Sequence, residues 1–169
     1  MSALAMRWRR WRFHLSALVL IVPLGFAPGY FKQLSLEDGS AGLGERMIGV
    51  QRLGRWKATL AEFVVGPPVA EGPAGPIKTF SLALGGAAVD DVKAAYLKIG
   101  KPRSIRSAGA LFEGAPYNQT AGVAIPADAN GDSEVWLTLE GWDGSIEQTS
   151  LPLSEASPST TAWLAARAN

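Results

Sequence analysis

The chain has 169 residues, which is enough for one domain of ordinary size and a short additional segment. It has no cysteine, and its one histidine, His14, lies near the N-terminus, so thiol chemistry, thiolate metal centres and Ser-His-Asp catalysis are excluded. Four of the 16 basic residues precede residue 13, and the remaining 12 face 15 acidic residues, a net charge of −3. A mildly acidic domain is poorly suited to nucleic acid.

The N-terminal segment predicts a membrane anchor. Residues 13–31 (FHLSALVLIVPLGFAPGYF) contain no Lys, Arg, Asp or Glu. A helix of this length spans about 28 Å, close to the hydrocarbon thickness of a bilayer. The basic residues precede it, so residues 1–12 are expected in the cytoplasm and the rest of the chain across a bacterial inner membrane, in the periplasm. These basic residues are Arg7, Arg9, Arg10 and Arg12.

Two other interpretations of this segment stay open. A cleaved signal peptide has the same basic start and apolar stretch. Its best cleavage site would follow Ala27, where Pro28 comes next and disfavours cutting. The segment could also be a buried core helix.

Three further regions follow the predicted anchor. Residues 32–46 are polar and rich in Gly and Ser, which is typical of a linker. Residues 47–153 contain short apolar runs separated by turn residues, which predicts one β domain. Residues 154–169 are rich in Ser, Thr and Pro and predict a flexible tail, although 162–168 could form a short helix.

The β domain is predicted to be a sandwich of about seven strands. Several runs alternate with period two, most clearly Val135, Leu137 and Leu139. Residues 89–99 fit a helix or a strand, and their strand-like neighbours favour a strand. Such a series of short strands indicates a mainly β fold, an immunoglobulin-like antiparallel β-sandwich. The predicted strands cover residues 56–65, 77–84, 89–99, 104–112, 117–125, 134–140 and 145–151.

No pattern in the domain predicts a catalytic residue, a cofactor or a metal ion. Residues 128–134 offer oxygen ligands for calcium, but Gly131 falls in a different place from the glycine of an EF-hand loop, so a polar turn is favoured. The carboxylates that could pair are Asp90 with Asp91 and Glu140 with Asp143, and all lie at turns where acids are common.

Two sets of residues suit binding to a protein partner. Five of the 12 basic residues of the domain fall within 14 positions, and one positive face in an acidic domain would favour an acidic partner. Trp136 lies on the strand face opposite the apolar one, so it is exposed or covered by another segment, such as a tail carrying Trp163. A solvated strand face and ordinary core packing are the simpler interpretations. The candidate residues are Lys93, Lys98, Lys101, Arg103, Arg106, Trp136 and Trp142, with Trp56 as a third aromatic residue.

Residues 90–146 resemble a known family. The run VKAAYLKIGKPRSIRSAGALFEGAPYNQTAGVAIP, followed by EVWLTLEGWDGS, is similar to the FixH-type and YtkA-like membrane-anchored periplasmic proteins. The shared pattern is a strand, a glycine turn, a strand ending in proline and an apolar strand that carries Trp and closes at Asp-Gly. The resemblance implies a non-catalytic role beside bacterial copper-oxidase assembly and cation pumps. The lack of copper ligands here argues against direct copper handling.

The sequence therefore predicts an accessory or assembly subunit of a membrane complex, which contacts the bilayer and another membrane or periplasmic protein. A periplasmic carrier that binds a small ligand on its Trp face is the alternative. A hydrolase that depends on carboxylates is a third and weaker hypothesis.

Overall fold

The computed structural model describes Trp11 and residues 18–19, 21–32, 34–35 and 42–168. The chain divides into two compact units, Met1–Ala41 and Gly42–Asn169. In the first unit, residues 21–32 form a helix, α1, whose apolar side chains such as Ile21 and Phe26 are exposed. No helix among the described residues is both long enough and apolar enough to span a bilayer. Residues 13–17 and 20 of the predicted anchor lie outside the described part of the chain.

Within residues 42–168, ten strands form two antiparallel sheets. Sheet A has the strand order β1-β2-β4-β8-β7, with β3 paired to β4, and sheet B has the order β10-β9-β5-β6. The strands are β1 (Arg46–Leu53), β2 (Trp56–Glu62), β3 (Val69–Ala70), β4 (Pro76–Gly85), β5 (Val92–Ile99), β6 (Ala110–Leu111), β7 (Glu113–Ala115), β8 (Asn118–Ala124), β9 (Glu134–Gly141) and β10 (Ile146–Pro152).

The two sheets enclose one apolar core, because each strand turns alternate residues inward. Leu60 of β2 and Leu82 of β4 face each other in register and are fully buried. Val135, Leu137 and Leu139 of β9 are also fully buried, as their period-two pattern predicted. Burial of one such side chain stabilises the fold by about 1.5–3 kcal/mol. The prediction of a mainly β, two-sheet fold is confirmed.

The ambiguous region at residues 89–99 contains both kinds of structure. One helical turn, α2 (Ala88–Asp91), leads directly into β5. The register of β5 against β9 shifts between Val92 and Ala94. This bulge explains why Val92 and Ala95 are both buried although they are three positions apart.

The prediction of seven strands was wrong at the N-terminal end and in the middle of the domain, where ten strands are present in all. β1 begins at the residue where the linker was expected to end, and its glycine-containing bulge between Met47 and Gly49 interrupts the alternation. Residues 104–112, predicted as one strand, contain a 3₁₀ turn at Ile105–Ser107 and the short β6.

The C-terminal segment is helical, in contrast to the flexible tail expected over residues 154–169. α3 (Leu153–Ala156) and α4 (Pro158–Ala168) follow β10 directly. Leu153 and Ala156 are fully buried, and Trp163 packs against the core. The apolar residues of the segment therefore anchor it, despite a composition rich in Ser and Thr.

Candidate partner-binding surface

Trp136 lies on the outer face of sheet B, between Lys98 of β5 and Ser150 of β10. Its indole is half-buried, and its Nε1–H donates to Glu134 Oε2 at 3.1 Å. The Nζ of Lys101 lies 5.1 Å from the centroid of the Trp136 ring, which is the geometry of a cation–π interaction. β5, β9 and the loop after β5 thus bring a tryptophan and two lysines together.

The loop after β5 presents two further cations on an ordered scaffold. Ser107 Oγ accepts the backbone N–H groups of Ser104 at 3.1 Å and Arg103 at 3.2 Å, which fixes the turn. The side chains of Arg103 and Arg106 on this turn are exposed. We call Lys98, Lys101, Arg103, Arg106 and Trp136 the basic–aromatic surface.

The four cations of the basic–aromatic surface form no ion pair with any described residue. Lys93, the fifth predicted cation, lies at the opposite end of β5, where its Nζ is 2.8 Å from Glu140 Oε1. Hydrogen bonding to Glu140 raises the pKa of Lys93 and lowers that of Glu140. The structure therefore separates Lys93 from the other predicted cations.

Trp142 is also separate from the basic–aromatic surface. It lies beyond the far end of β9, six residues from Trp136 or ~20 Å along a strand. Its side chain is 70% exposed. Trp56, by contrast, is 1% exposed and belongs to the core. Of the three predicted tryptophans, only Trp136 lies among the cations.

The turn beside Trp142 contains Asp143, one of the carboxylates considered for catalysis. Hydrogen bonds from the hydroxyl and backbone N–H of Ser145, together with Arg55, lower the pKa of Asp143 to about 2. Arg55 Nη2 lies 2.6 Å from Asp143 Oδ2. A carboxylate that stays ionised at neutral pH and is engaged in a turn is a poor general acid.

The acidic loop before β9 is an Asx turn. Asn130 Oδ1 accepts the backbone N–H of Asp132 at 2.9 Å, so this oxygen is already used inside the loop. Within the described residues, no three His, Cys, Asp or Glu side chains are grouped closely enough to hold a metal ion.

A second polar cluster, which the sequence did not predict, lies at one end of sheet A, where β1 begins and β2 ends. Glu62 is fully buried, and its carboxylate lies 2.7 Å from Arg46 Nε and 2.7 Å from Lys78 Nζ. The Lys78 ammonium, whose side chain is only 4% exposed, also donates to the carbonyls of Val64 and Gly66 at 2.7 and 2.6 Å. We call Arg46, Glu62 and Lys78 the ion-pair cluster.

The ion-pair cluster joins the C-terminal helices to the sandwich. The hydroxyls of Ser157 and Ser159 donate to Glu62 Oε1 at 2.7 and 2.9 Å. Arg46 Nη2 donates to the backbone carbonyls of Glu155 and Ala156. Each charged group in the cluster is thus satisfied by several partners, which buried charges require. This cluster holds α3 and the start of α4 against β1, β2 and β4.

A sequence signal for the ion-pair cluster does exist. Lys78 lies on the same strand face as Phe80 and Leu82. Glu62 likewise shares a face with Leu60, so both charged residues fall on the core face of their strands. Two opposite charges on inward faces of neighbouring strands predict a buried ion pair.

The chemistry of the ion-pair cluster is structural. Ser159 Oγ lies 3.5 Å from Lys78 Nζ, but a serine activated by lysine needs a neutral amine. Lys78 Nζ instead donates at shorter distances to the carboxylate of Glu62 and to the carbonyls of Val64 and Gly66, at 2.6–2.7 Å, so its hydrogen bonds serve the fold. Burial tends to raise the pKa of Glu62, but hydrogen bonds from Lys78, Arg46, Ser157 and Ser159 outweigh it and lower that pKa.

The lowered pKa of Glu62 predicts a loss of stability in acid. The folded state holds the carboxylate ionised below its ordinary pKa of 4.5, so the contribution is present above pH 4.5. It is lost as the pH falls from 4.5 through the folded-state pKa. Urea unfolding between pH 7 and pH 3 should show this decline in the wild type and a smaller decline in Glu62→Gln. Equal slopes in the two proteins would contradict the assignment.

The fold and the surface together define a β-sandwich protein with an exposed basic–aromatic face. A family model described as "Uncharacterised conserved protein UCP029505" matches residues 7–154. The chain therefore belongs to this family, and the match ends before α4. Comparisons with curated proteins and with solved structures found no match.

Proposed function

We propose that the protein is a non-catalytic accessory or assembly subunit of a membrane complex, whose immunoglobulin-like domain binds an acidic surface of another protein. One observation carries this proposal: four cations without an ion pair among the described residues lie on β5 and the loop after it, and two of them, Lys98 and Lys101, lie beside the half-buried Trp136. Cations that no described carboxylate neutralises, in an otherwise acidic domain, favour electrostatic docking. Trp and Arg are the residue types that contribute most to protein interfaces.

The location in this proposal is a single-pass position in a bacterial inner membrane, with the domain in the periplasm. The uncharged stretch 13–31 and the four arginines before it support that topology. Exposed apolar side chains of the first unit, including Val19 and Phe26, also support it, because they would otherwise face water. The similarity of residues 90–146 to FixH-type proteins is, like the membrane location, part of the proposal.

Affinity purification of the tagged full-length protein from membranes in mild detergent, followed by mass spectrometry of intact chains, tests the proposal. We expect a stoichiometric membrane partner and a mass that retains residues 1–31. A solitary protein, or one that begins near Pro28 in the soluble fraction, would contradict it.

Substitution of either a cation or the tryptophan of the basic–aromatic surface should abolish this co-purification. Lys101→Glu removes the cation above Trp136 and adds repulsion, and Trp136→Ala removes the aromatic platform. Because central aromatic residues are typical hot spots, each change should weaken binding at least about 30-fold. Lys57→Glu, an exposed lysine on the outer face of sheet A, is the matched control and should have little effect. Partner recovery equal to wild type in both test variants would place the interface elsewhere.

A periplasmic carrier that holds a small ligand against Trp136 is the second candidate, favoured by the partial exposure of this indole. The carrier hypothesis predicts a saturable change in tryptophan fluorescence with a ligand and no stoichiometric protein partner. The accessory-subunit hypothesis predicts the reverse.

A further inference from the structure

The chain between β6 and β7 changes sheets and leaves a gap at one edge of the sandwich. β6 pairs with β5 in sheet B, and after a single intervening residue, Phe112, β7 pairs with β8 in sheet A. Among the described residues, pairing on this side of β8 ends at Thr120, although β8 continues to Ala124. An apolar cleft of about 390 Å³ lies in the gap, lined mainly by Leu97, Ile99, Ala110, Gly122, Val123 and Ala124.

The backbone of β8 directs hydrogen-bonding groups towards this cleft. The N–H of Ile125 donates to Pro76 at 2.9 Å, which fixes the alternation of β8 against β4. Val123 therefore turns its amide group towards β4, and Gly122 and Ala124 turn theirs towards the open edge. Gly122 and Ala124 are exposed. An exposed edge with apolar walls is the geometry to which extended peptides add as an extra strand.

The charges around the cleft indicate which peptide fits. Lys98 lines the cleft together with Ile99 and Pro126, and the loop that carries Lys101, Arg103 and Arg106 follows β5 at this end. β8 also ends beside this loop. A peptide strand that pairs with β8 next to β7, antiparallel to β8, would run from Ala124 towards Thr120, so its N-terminus would lie beside the cations. Acidic residues should therefore precede the apolar residues of the peptide.

We infer that the cleft between β5 and β8 binds an extended segment of the partner protein, with acidic residues followed by alternating apolar residues, as an added antiparallel strand on β8. The inference rests on the proposed function, since it names the part of the partner that is recognised and extends the basic–aromatic surface through Lys98. Backbone hydrogen bonds to Gly122 and Ala124 would provide pairing, and the apolar cleft would accept alternate side chains.

The test uses purified full-length protein in detergent and a fluorescein-labelled heptapeptide of two glutamates followed by alternating valine and threonine. Fluorescence anisotropy should show saturable binding. Binding should weaken at least tenfold when the glutamates are moved to the C-terminus or replaced by lysines. Lys98→Glu should weaken binding to a similar extent, and Lys57→Glu should not. Absence of saturable binding by the first peptide would overturn the inference.

Ala124→Pro tests the added strand itself. Proline removes an N–H that faces the open edge and leaves the bonds to β4 intact, and edge strands tolerate it there. We expect at least a tenfold loss of peptide binding in Ala124→Pro and little loss in Ala124→Val, which retains the N–H. Equal binding by the two variants would overturn the inference.

Amide hydrogen exchange measured by NMR gives a readout that does not depend on any variant. The amides of Gly122 and Ala124 should exchange rapidly in the free protein and slowly with peptide bound, whereas Val123 should be slow in both. Unchanged exchange at Gly122 and Ala124 in saturating peptide would overturn the inference. If the peptide does not bind but a membrane partner still co-purifies, the inference fails and the accessory-subunit proposal stands. If the peptide binds but no membrane partner co-purifies, only the accessory-subunit proposal fails.

Discussion

Replacement of Glu62 by glutamine should lower the free energy of unfolding by about 3–5 kcal/mol, the usual cost of breaking a buried ion pair from one side. The change leaves the Lys78 ammonium buried with only carbonyl and hydroxyl partners, and it removes the carboxylate that binds Arg46. Glutamine keeps the volume of the side chain, so the loss reports charge rather than packing. Urea unfolding at pH 7 measures it.

Two controls isolate the charge effect in the ion-pair cluster. Glu71→Gln changes an exposed carboxylate and should alter stability by less than about 0.5 kcal/mol. The double variant Glu62→Met with Lys78→Met removes both buried charges and should recover much of the loss, because apolar pairs can replace buried ion pairs. Wild-type stability in Glu62→Gln would show that the cluster does not hold the helices to the sheets.

Replacement of Gly109 by alanine should cost at least about 2 kcal/mol and displace the basic loop. The backbone of Gly109 has φ of +117°, and an added Cβ would lie 2.2 Å from the carbonyl oxygen of Leu97. That oxygen belongs to β5, so either the strand or the loop must move. Thermal or urea unfolding measures the cost, and the NMR signals of Arg103 and Arg106 should shift.

Gly100→Ala separates the two causes of this effect. Gly100 lies at the other end of the same loop with φ of +87°, but an added Cβ there meets no atom within 4 Å. It should therefore show the backbone strain alone, about 1 kcal/mol. If Gly100→Ala and Gly109→Ala lose the same stability, the close approach to Leu97 is not what positions the basic loop.

The regular strands were predictable because each has one buried face. β9 alternates Val135, Leu137 and Leu139 with residues of the other face, Trp136, Thr138 and Glu140, and this pattern depends only on the pleat. β1 was missed because a bulge and glycine interrupt its alternation, and as an edge strand it has fewer buried positions. The tail was mispredicted because only two of its fully buried residues, Leu153 and Ala156, are apolar; the other two, Ser157 and Thr160, are polar and add nothing to an apolar period.

The candidate surface was predictable only in part. The sequence grouped five cations, but it could not show that Glu140 neutralises Lys93 or that Lys101 lies over Trp136. Both contacts depend on which strands are neighbours, and strand order is set by long-range packing. Trp142 was grouped with Trp136 by residue type, although the length of β9 separates them.

Photo-crosslinking from the basic–aromatic surface tests the central claim most directly. A photoreactive amino acid placed at Arg103 in the full-length protein, irradiated in intact membranes, should give one adduct of defined mass with another protein. The same amino acid at Lys57, on the outer face of sheet A, should give none. Adducts of equal yield from both positions, or only from Lys57, would contradict the assignment of the partner-binding surface.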